Sequence, residues 1–330
     1  NTLADYKAQG SFMSIFPAFT RFSRSFITGQ SILFYATLFA GSVNLTLFNK
    51  QVIMQTINNL SGFIIDMDGV LWHGNMPLPG LTEFFSILRY VEIPFVLATN
   101  NASLTQQQYL NKLADMGVVV SEKEILTSSM ATARYLKETL PASKKRVFVI
   151  GESGLIEPLQ QQGFEVTSTY YPADPQSNTE NIWADIVVSG LDRKLTWDKL
   201  ATATLNIRAG AEFYATNADT TLPTELGEVM GNGGVLAALT AVTGVEPIVI
   251  GKPEPILYQQ AFEILGTNKH NTVAIGDRLN TDILGAVNAG MRSIMVLTGV
   301  SSEADLADID YRPDWIFKDI QEITTILKQL

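Results

Sequence analysis

From Gly62 onward, short apolar runs alternate with longer stretches in which apolar residues recur every three or four positions. The short runs predict buried strands, and the longer stretches predict amphipathic helices. Several runs lead directly into polar residues, as FII does into Asp66 and FVLA into Thr99. Predicted strands cover residues 63–65, 94–98, 247–250, 272–275, 293–297 and 315–317. Predicted helices cover residues 81–90, 105–116, 128–140, 256–265 and 283–289, and a last helix begins at Ile320.

A second module interrupts this alternation. Its predicted strands are 146–150, 185–189 and 212–215, and its predicted helices are 155–162 and 197–209. Repeated units of strand, loop and helix predict a mostly parallel sheet with helices on both faces. We therefore predict an α/β fold with a Rossmann-like, three-layer core (residues 61–140 and 222–330) and an inserted α/β cap domain (residues 141–221).

Residues 1–60 have a different pattern. Arg21 and Arg24 precede an apolar stretch at 31–48, which is close to the lower length limit for a helix that spans a bilayer and is diluted by polar residues. One interpretation is a signal-like or anchoring segment with the arginines on the cytoplasmic side. The interpretation that we favour is an extension outside the folded domain, which would start near Met54.

Composition and charge narrow the chemistry. The 330 residues, 46% of them hydrophobic, suffice for two domains with buried cores. The chain has 33 acidic and 23 basic residues, and its net charge of -10 disfavours binding to nucleic acid and to anionic membrane surfaces. Thiolate chemistry is excluded because there is no cysteine, and the two histidines, His73 and His270, disfavour a multi-histidine metal site. Carboxylates therefore have to carry any catalysis.

The polar residues at the predicted strand ends indicate one site. In a parallel sheet all carboxyl ends lie at the same edge, so residues that are distant in sequence converge there. The residues that we expect to converge are Asp66, Asp68, Thr99, Asn100, Lys252, Asp277 and Asp282. Each has a simpler explanation alone: the aspartates would fit turns or helix starts, Thr99 and Asn100 a helix cap, and Lys252 the surface. A shared site explains all of them together.

The chemistry of this set predicts a cation. Carboxylates around one point repel each other by about 4 kcal/mol per close pair at an effective dielectric of about 20. A small set of oxygen ligands suits Mg²⁺, which shares its coordination shell with water and phosphate. Lys252 adds a point charge and Thr99 a hydroxyl group, both of which suit phosphate oxygens. We therefore predict a pocket for phosphate and Mg²⁺.

These residues resemble the motifs of the haloacid dehalogenase (HAD) superfamily. Its D-x-D motif is similar to DMDGV at 66–70, and its other motifs match Thr99 in VLATN, Lys252 in GKPEP, and GDRLNTD at 276–282. Together with DGVLWHG and TNN, they are especially similar to subfamily IIA, the NagD-like and 4-nitrophenylphosphatase-like enzymes with a large α/β cap. The resemblance covers residues 62–330, and all four motifs occur in order.

The resemblance implies a role for each motif residue. Asp66 would be the nucleophile that forms an aspartyl-phosphate, and Asp68 would act as general acid and then as general base. Mg²⁺ would be bound by the carboxylates of Asp66 and Asp277 and the main-chain carbonyl of Asp68, and Asp282 would support these ligands. The residues that would hold the phosphoryl group are Thr99, Asn100 and Lys252.

The cap is expected to lie over the strand ends and to decide substrate specificity. The candidate specificity residues, for which ordinary loop solvation is an equal alternative, are Asp192, Arg193, Lys194, Asn217 and Asp219. Arg193 and Lys194 would suit a substrate with a second anionic group. GNGG at 231–234 lacks a full phosphate-loop fingerprint, and we interpret it as a tight loop beneath the site.

We predict a Mg²⁺-dependent phosphatase that hydrolyses a small phosphomonoester. The alternatives are a phosphotransferase or mutase of the same superfamily, a metal-free dehalogenase, and a phospho-accepting receiver-like protein. A metal-free dehalogenase does not need Asp68, and a receiver explains neither the inserted module nor the D-x-D spacing. We expect a cytoplasmic enzyme that binds a small phosphorylated metabolite and associates with neither nucleic acid nor membranes. A homo-oligomer formed through the cap is left open.

Overall fold

The computed structural model describes residues 60–174, 180–224 and 226–330. The strands, in chain order, are β1 (Gly62–Ile65), β2 (Trp72–His73), β3 (Met76–Pro77), β4 (Phe95–Thr99), β5 (Ile125–Thr127), β6 (Arg146–Ile150), β7 (Glu165–Val166), β8 (Ile186–Ser189), β9 (Glu212–Ala215), β10 (Thr221–Thr224), β11 (Gly227–Met230), β12 (Ile248–Val249), β13 (Thr272–Gly276), β14 (Arg292–Val296) and β15 (Trp315–Phe317). The α-helices are α1 (Leu81–Tyr90), α2 (Gln106–Asp115), α3 (Ser128–Thr139), α4 (Ser153–Gln161), α5 (Trp197–Arg208), α6 (Asn232–Thr243), α7 (Pro255–Leu265), α8 (Leu284–Ala289) and α9 (Ile320–Leu327).

The predictions for the N-terminal extension, including the apolar stretch at 31–48, lie outside these described ranges. Among the residues that the structure does describe, no helix combines the length and the apolar character needed to cross a bilayer.

The first sheet has six parallel strands in the order β15–β14–β13–β1–β4–β5. β1 lies in its centre, where Ile64 is in register with Ala274 of β13 and with Val96 of β4. β5 was not predicted, because a three-residue strand just ahead of a helix has too few positions to show alternation. The predicted core strands adjacent to β1 are confirmed.

Helices cover both faces of the first sheet. On one face, Ile64 and Val96 pack in a buried cluster with Leu257 of α7 and Ala286 of α8. On the other face, the ring of Phe95 packs edge-on against Phe85 of α1, at 5.1 Å between ring centroids. Alternate residues of a strand point to opposite faces, so the sheet is the middle of three layers. The predicted three-layer α/β core is confirmed.

The second sheet has five parallel strands in the order β12–β9–β8–β6–β7. Helices α5 and α6 pack on one face, where Phe148 and Val187 contact Ile207 and Leu236 in one buried cluster. The opposite face packs against helices α3 and α4. This sheet is therefore the middle of a second α/β layer set, and on the face of α3 and α4 it shares one buried cluster with the first sheet.

The predicted strand at 247–250 was assigned to the first sheet, and this assignment was wrong. Ile248 and Val249 pair in parallel with Tyr214 and Ala215 of β9, at the edge of the second sheet. A short apolar run specifies a strand but not its partner, and the preceding helix α6 packs against α5 on the second sheet. The second sheet therefore extends beyond residue 221, whereas the division of the chain into domains stays a prediction.

Two hairpins lie outside both sheets, β2–β3 and β10–β11. The strands are short and β11 is exposed throughout, so the sequence shows no buried alternation there. The β10–β11 hairpin follows directly on the loop that ends β9, which brings it into the neighbourhood of the site.

Candidate active site

Asp66 stands where central strand β1 ends. Its main-chain N–H still donates to the carbonyl of Ile275 (2.8 Å), so the β13 ladder fixes its position. The chain then turns, and the N–H of Leu71 donates to the carbonyl of Met67 (2.8 Å). Asp68 lies in this turn and accepts a hydrogen bond from Trp72 Nε1 (2.8 Å). The predicted strand-to-loop transition at the D-x-D motif is therefore present.

Asp277 and Asp282 follow the neighbouring strand β13 and complete an acidic cluster with Asp66. Carboxylate oxygens of the three residues all lie within 4.8 Å of one another; Asp277 and Asp282 are buried, and the Asp66 side chain is 11% exposed. Asp282 is anchored locally, because its Oδ2 accepts a hydrogen bond from the N–H of Arg278 (3.1 Å). The first sheet thus brings together acids that are more than 200 positions apart in the chain.

The loop after β14 is a part of the site that the sequence reasoning missed. The N–H of Val300 donates to Asp277 Oδ2 (2.8 Å), and Thr298 Oγ1 donates to the carbonyl of Gly69 (2.7 Å). These bonds tie the Asp277 carboxylate to the turn of the D-x-D motif. The available signal was the polar end of the predicted strand at 293–297, which follows the same pattern as the other motif strands.

Gly69 of the D-x-D turn has to be glycine for two reasons. Its φ of +83° lies in the left-handed region that other residues rarely adopt. A Cβ atom at this position would also lie 2.5 Å from Asp277 Oδ2. The close approach of this turn to the acidic cluster therefore depends on the missing side chain.

Lys252 places its ammonium group among these acids. Its Nζ donates to Asp66 Oδ1, to Asp282 Oδ1 (2.6 Å) and to the carbonyl of Ala98 (3.0 Å), and the residue is only 3% exposed. We expected Lys252 at the same sheet edge as the acids, but it follows β12, the edge strand of the second sheet. The N–H of Gly251 continues that pairing to the carbonyl of Thr216 (2.9 Å). The convergence is confirmed, but two sheets rather than one produce it.

Asn100 joins β4 of the first sheet to Lys252. The main-chain N–H of Lys252 donates to Asn100 Oδ1, and Asn100 Nδ2 donates to the carbonyl of Lys252, both at 2.8 Å. Thr99 Oγ1 accepts from the N–H of Asn101 (3.0 Å). The alternative that Thr99 and Asn100 cap the next helix is wrong, because Thr105 caps α2 in a capping box with Gln108.

Burial governs the electrostatics of the cluster. It raises the pKa of Asp66 well above its ordinary value, against the opposing charge of Lys252. Burial, followed by the charge of Asp282, raises the pKa of Asp277 to about 7. Burial alone would lower the pKa of Lys252, but the charges of Asp282 and Asp66 outweigh it and raise that pKa well above its ordinary value. The single charge of Lys252 therefore does not offset the burial and mutual repulsion of these acids.

The donor set fits a divalent cation. Asp277 Oδ1 is buried and has no hydrogen-bond partner among the residues that the structure describes. By contrast, both oxygens of Asp282 accept hydrogen bonds, one from Lys252 and one from the Arg278 main chain. An unsatisfied carboxylate oxygen in an all-oxygen cluster is suited to a hard ion such as Mg²⁺. This arrangement favours Asp66 and Asp277 over Asp282 as direct ligands; the assignment of the Asp68 carbonyl stays a prediction.

Comparisons with known proteins identify the family. The profile described as "Haloacid dehalogenase-like hydrolase" matches residues 63–165, and a HAD-hydrolase-like profile matches residues 249–323. The "Acid sugar phosphatase" of Staphylococcus saprophyticus is 35% identical over 273 residues, which cover 83% of this chain and 100% of the relative. The chain belongs to the haloacid dehalogenase-like hydrolases.

Solved structures of this family agree. NagD from E. coli K-12 superimposes with a TM-score of 0.69 and 35% identity, covering 80% of this chain and 98% of NagD. The glycerol phosphate phosphatase from Mycobacterium tuberculosis, solved in complex with magnesium, gives a TM-score of 0.72 and 33% identity, covering 83% of this chain and 79% of that one. The resemblance to HAD subfamily IIA is confirmed, and this HAD-like chain is an enzyme of the phosphatase class.

Two of the predicted cap residues, Asn217 and Asp219, form hydrogen bonds with Asn100 of the candidate active site. Asn217 Nδ2 donates to the main-chain carbonyl of Asn100 (2.8 Å). The carboxylate of Asp219 accepts from Asn100 Nδ2 at 3.2 and 3.4 Å, and burial raises the pKa of Asp219. Their strand β9 therefore ends against the loop that follows β4. A direct contact of either residue with substrate stays a prediction.

The other three cap candidates have different surroundings. Arg193 forms a two-pronged ion pair with Glu152 (2.8 and 2.6 Å), and Asp192 pairs with Lys199 Nζ (2.5 Å). Lys194 is exposed. Among the described residues, no hydrogen bond joins the side chain of Asp192, Arg193 or Lys194 to Asn100 or Lys252. Their role in specificity stays a prediction.

Proposed function

We propose that this chain hydrolyses small phosphomonoesters with the help of Mg²⁺ and forms an aspartyl-phosphate on Asp66. The observation that supports this proposal is the position of Lys252 Nζ, which touches Asp66 and Asp282, while Asp277 Oδ1 has no hydrogen-bond partner within the described part of the chain. The Asp66 carboxylate, with Lys252 and Asp277 beside it, suits a negatively charged substrate that binds together with a cation.

In the first step, an Asp66 oxygen attacks the phosphorus, and the bond from phosphorus to the leaving oxygen breaks. Asp68 donates a proton to that oxygen, and the phosphoryl group stays on Asp66. When bound, Mg²⁺ would offset the repulsion between the carboxylate and the phosphate dianion, and Asp66 and Asp277 would hold it. Lys252 lies beside Asp66 Oδ1 and neutralises charge on the phosphoryl oxygens.

In the second step, Asp68 takes a proton from water, and the water oxygen attacks the phosphorus of the aspartyl-phosphate. The bond between phosphorus and Asp66 breaks, which releases inorganic phosphate and restores both carboxyl groups. Trp72 Nε1 donates to Asp68 Oδ1, and this bond orients the carboxyl group for proton transfer. A cytoplasmic location and a homo-oligomer formed through the cap stay predictions.

The relatives indicate where the substrate search should begin. The names of two of them are acid sugar phosphatase and glycerol phosphate phosphatase, and we propose a substrate of similar size, a phosphorylated sugar or polyol. The test is phosphate release from a panel of sugar phosphates, glycerol phosphate, nucleotides, phosphoglycolate and pyridoxal phosphate, with Mg²⁺ and with a chelator. We expect turnover that requires Mg²⁺ and an acid-stable phosphoenzyme that is trapped during turnover.

Three outcomes would contradict this proposal in different ways. A lasting phosphoprotein without turnover would support a receiver-like protein. Transfer of phosphate to a second hydroxyl group instead of water would support a phosphotransferase or mutase. Equal turnover with Mg²⁺ and with the chelator would exclude the metal from the reaction.

A further inference from the structure

A chain of hydrogen bonds joins the second sheet to the main chain of Lys252. Ser189 Oγ, at the end of β8, donates to Asn232 Oδ1, and Asn232 Nδ2 donates to the carbonyl of Asn217, both at 2.7 Å. Asn217 Nδ2 then donates to the carbonyl of Asn100 (2.8 Å). The Asn100 side chain finally pairs with both main-chain groups of Lys252. This series of hydrogen bonds therefore ends at Lys252, whose ammonium group contacts Asp66.

The four residues that lead to Lys252 in this series of hydrogen bonds are all buried. Asn100 is 8% exposed, Asn217 4%, Asn232 2% and Ser189 0%. A polar group that loses its partner at such a depth has little access to water as a replacement. Buried amide networks in which each member is bonded hold their groups in one arrangement. The chain is thus a rigid connection rather than a set of independent surface contacts.

Lys252 needs such a connection because of the strand that precedes it. β12 is the edge strand of the second sheet, and its ladder with β9 ends at Gly251, so the main-chain groups of Lys252 bond to the Asn100 side chain and not to a strand. Yet Lys252 Nζ has to reach Asp66, Asp282 and the carbonyl of Ala98 at the same time. A displacement of about 1 Å in such a group is enough to cost a factor of about 100 in rate.

The GNGG segment gains a role in this arrangement. It was predicted as a tight loop, but Asn232 begins α6, and the N–H of Gly233 donates to the carbonyl of Asp219 (2.9 Å). The N–H of Gly231 donates to the carbonyl of Thr220 (2.9 Å). The segment therefore binds the main chain that follows Asn217, and the Asn232 side chain adds the bond to Asn217 itself.

We propose that Asn217 and Asn232 are positioning residues for Lys252, which they hold in place through Asn100. They act on the phosphoryl-binding lysine from the second sheet and do not touch the reacting atoms. This inference rests on the function proposed above, because it assigns these residues to the placement of Lys252 in that reaction.

The test compares Asn217→Ala and Asn232→Ala with a matched control. Asn206→Ala removes another buried asparagine of the second α/β layer set, whose Nδ2 donates to the carbonyl of Ile182 (2.9 Å) and whose Oδ1 accepts from Ala184 N–H (2.7 Å). We expect kcat to fall, and the binding of inorganic phosphate measured by calorimetry to weaken, by about tenfold in both test variants. The control is expected to lower Tm by a similar amount and to leave kcat and phosphate binding unchanged.

A double-mutant cycle separates positioning from general damage. In a Lys252→Ala background, Asn217→Ala is expected to cause no further loss of residual kcat, because its effect passes through Lys252. Additive losses would overturn the inference, and so would test variants that match the Asn206→Ala control. Asn232→Ala removes the donor to the Asn217 carbonyl and leaves Asn217 and Asn100 in place, so it serves if Asn217→Ala does not fold.

The failure of this inference is distinguishable from the failure of the proposed function. If the wild-type chain hydrolyses no phosphomonoester, the proposed function is wrong. If the wild-type chain turns over and both test variants keep its kcat and its affinity for inorganic phosphate, only the positioning inference is wrong.

Discussion

The first sheet supplies the acids of the site from its centre, whereas the second sheet supplies Lys252 from its edge. Asp66 and Asp277 follow β1 and β13, which are paired with each other and with a further strand on their outer sides. Lys252 follows β12, which is an edge strand and is paired with β9 on one side, up to Gly251. A central strand fixes the residue at its end through two ladders, but an edge strand needs added contacts. Asn100 and the bonds behind it provide those contacts here.

The two sheets contribute opposite charges to the site. The first sheet gathers three carboxylates that repel one another, and the second sheet inserts the cation that reduces the repulsion. Lys252 is only 3% exposed, so its charge acts through a medium of low polarity. The association of the two sheets is therefore coupled to the electrostatics of the acidic cluster.

The largest effect is expected at the central strand. Asp66→Asn keeps the shape of the side chain but removes the proposed nucleophile, and we expect kcat to fall by at least about 10⁴-fold. The fold should be retained, because burial disfavours the charge that this change removes. Phosphate release and circular dichroism check both statements. Near-normal turnover would remove Asp66 from the role of nucleophile.

A smaller effect is expected for the contribution of the edge strand. Lys252→Ala removes the ammonium group beside Asp66 that we propose to stabilise the phosphoryl oxygens, and we expect kcat to fall by about 10²–10³-fold. Lys328→Ala is the matched control, since Lys328 is an exposed lysine that pairs with Glu83. Steady-state kinetics of both variants is the measurement. Unchanged kcat and KM in Lys252→Ala would separate the second sheet from the chemistry.

The acidic cluster predicts a pH-dependent stability of the metal-free protein. The pKa of Asp277 is about 7 in the folded protein and 3.8 ordinarily, so between these values the folded state binds more protons than the unfolded state. Stability is therefore highest below about pH 4 as far as this group is concerned, and falls as pH rises toward about 7. Thermal unfolding of the metal-free protein over this pH range, with Asp277→Asn as the control that loses this contribution, is the measurement.

Metal binding should oppose this trend, because Mg²⁺ requires the ionised carboxylate. At an Mg²⁺ concentration of about 100 times Kd we expect Tm to rise by about 5–10 °C at about pH 8. The rise should be smaller at about pH 5, where Asp277 is protonated. An equal rise at both pH values would show that the ion binds elsewhere, and a chelator should reverse the effect.

The smallest effect is expected at the periphery of the second sheet. Arg193 uses its guanidinium group on Glu152, so we expect Arg193→Ala to change kcat/KM by less than about twofold and stability by less than about 1 kcal/mol. The measurement is kcat/KM across the phosphate panel. A selective loss of activity toward substrates with a second anionic group would instead establish the specificity role considered for Arg193 and Lys194.

Much of the site was predictable because its signals are local. A strand that ends in Asp66 or Asp277 shows in the sequence as an apolar run followed by an acid, and parallel pairing requires the ends to meet. The loop of Thr298 and Val300 was missed because one of its two contacts with the site comes from the main chain. Val300 acts through its main-chain N–H, which carries no sequence signal.

The sequence by itself determined the strands and helices that have a clear apolar pattern, the polar residues that follow the motif strands, and the family that the motifs resemble. Only the tertiary structure decided that Lys252 comes from the second sheet, and that Asn232 is connected to it through Asn217 and Asn100. The physical reason is that apolar periodicity describes how a segment is buried. The choice of partner strand, and of the amides that bond across the interface, depends on packing between residues far apart in the chain.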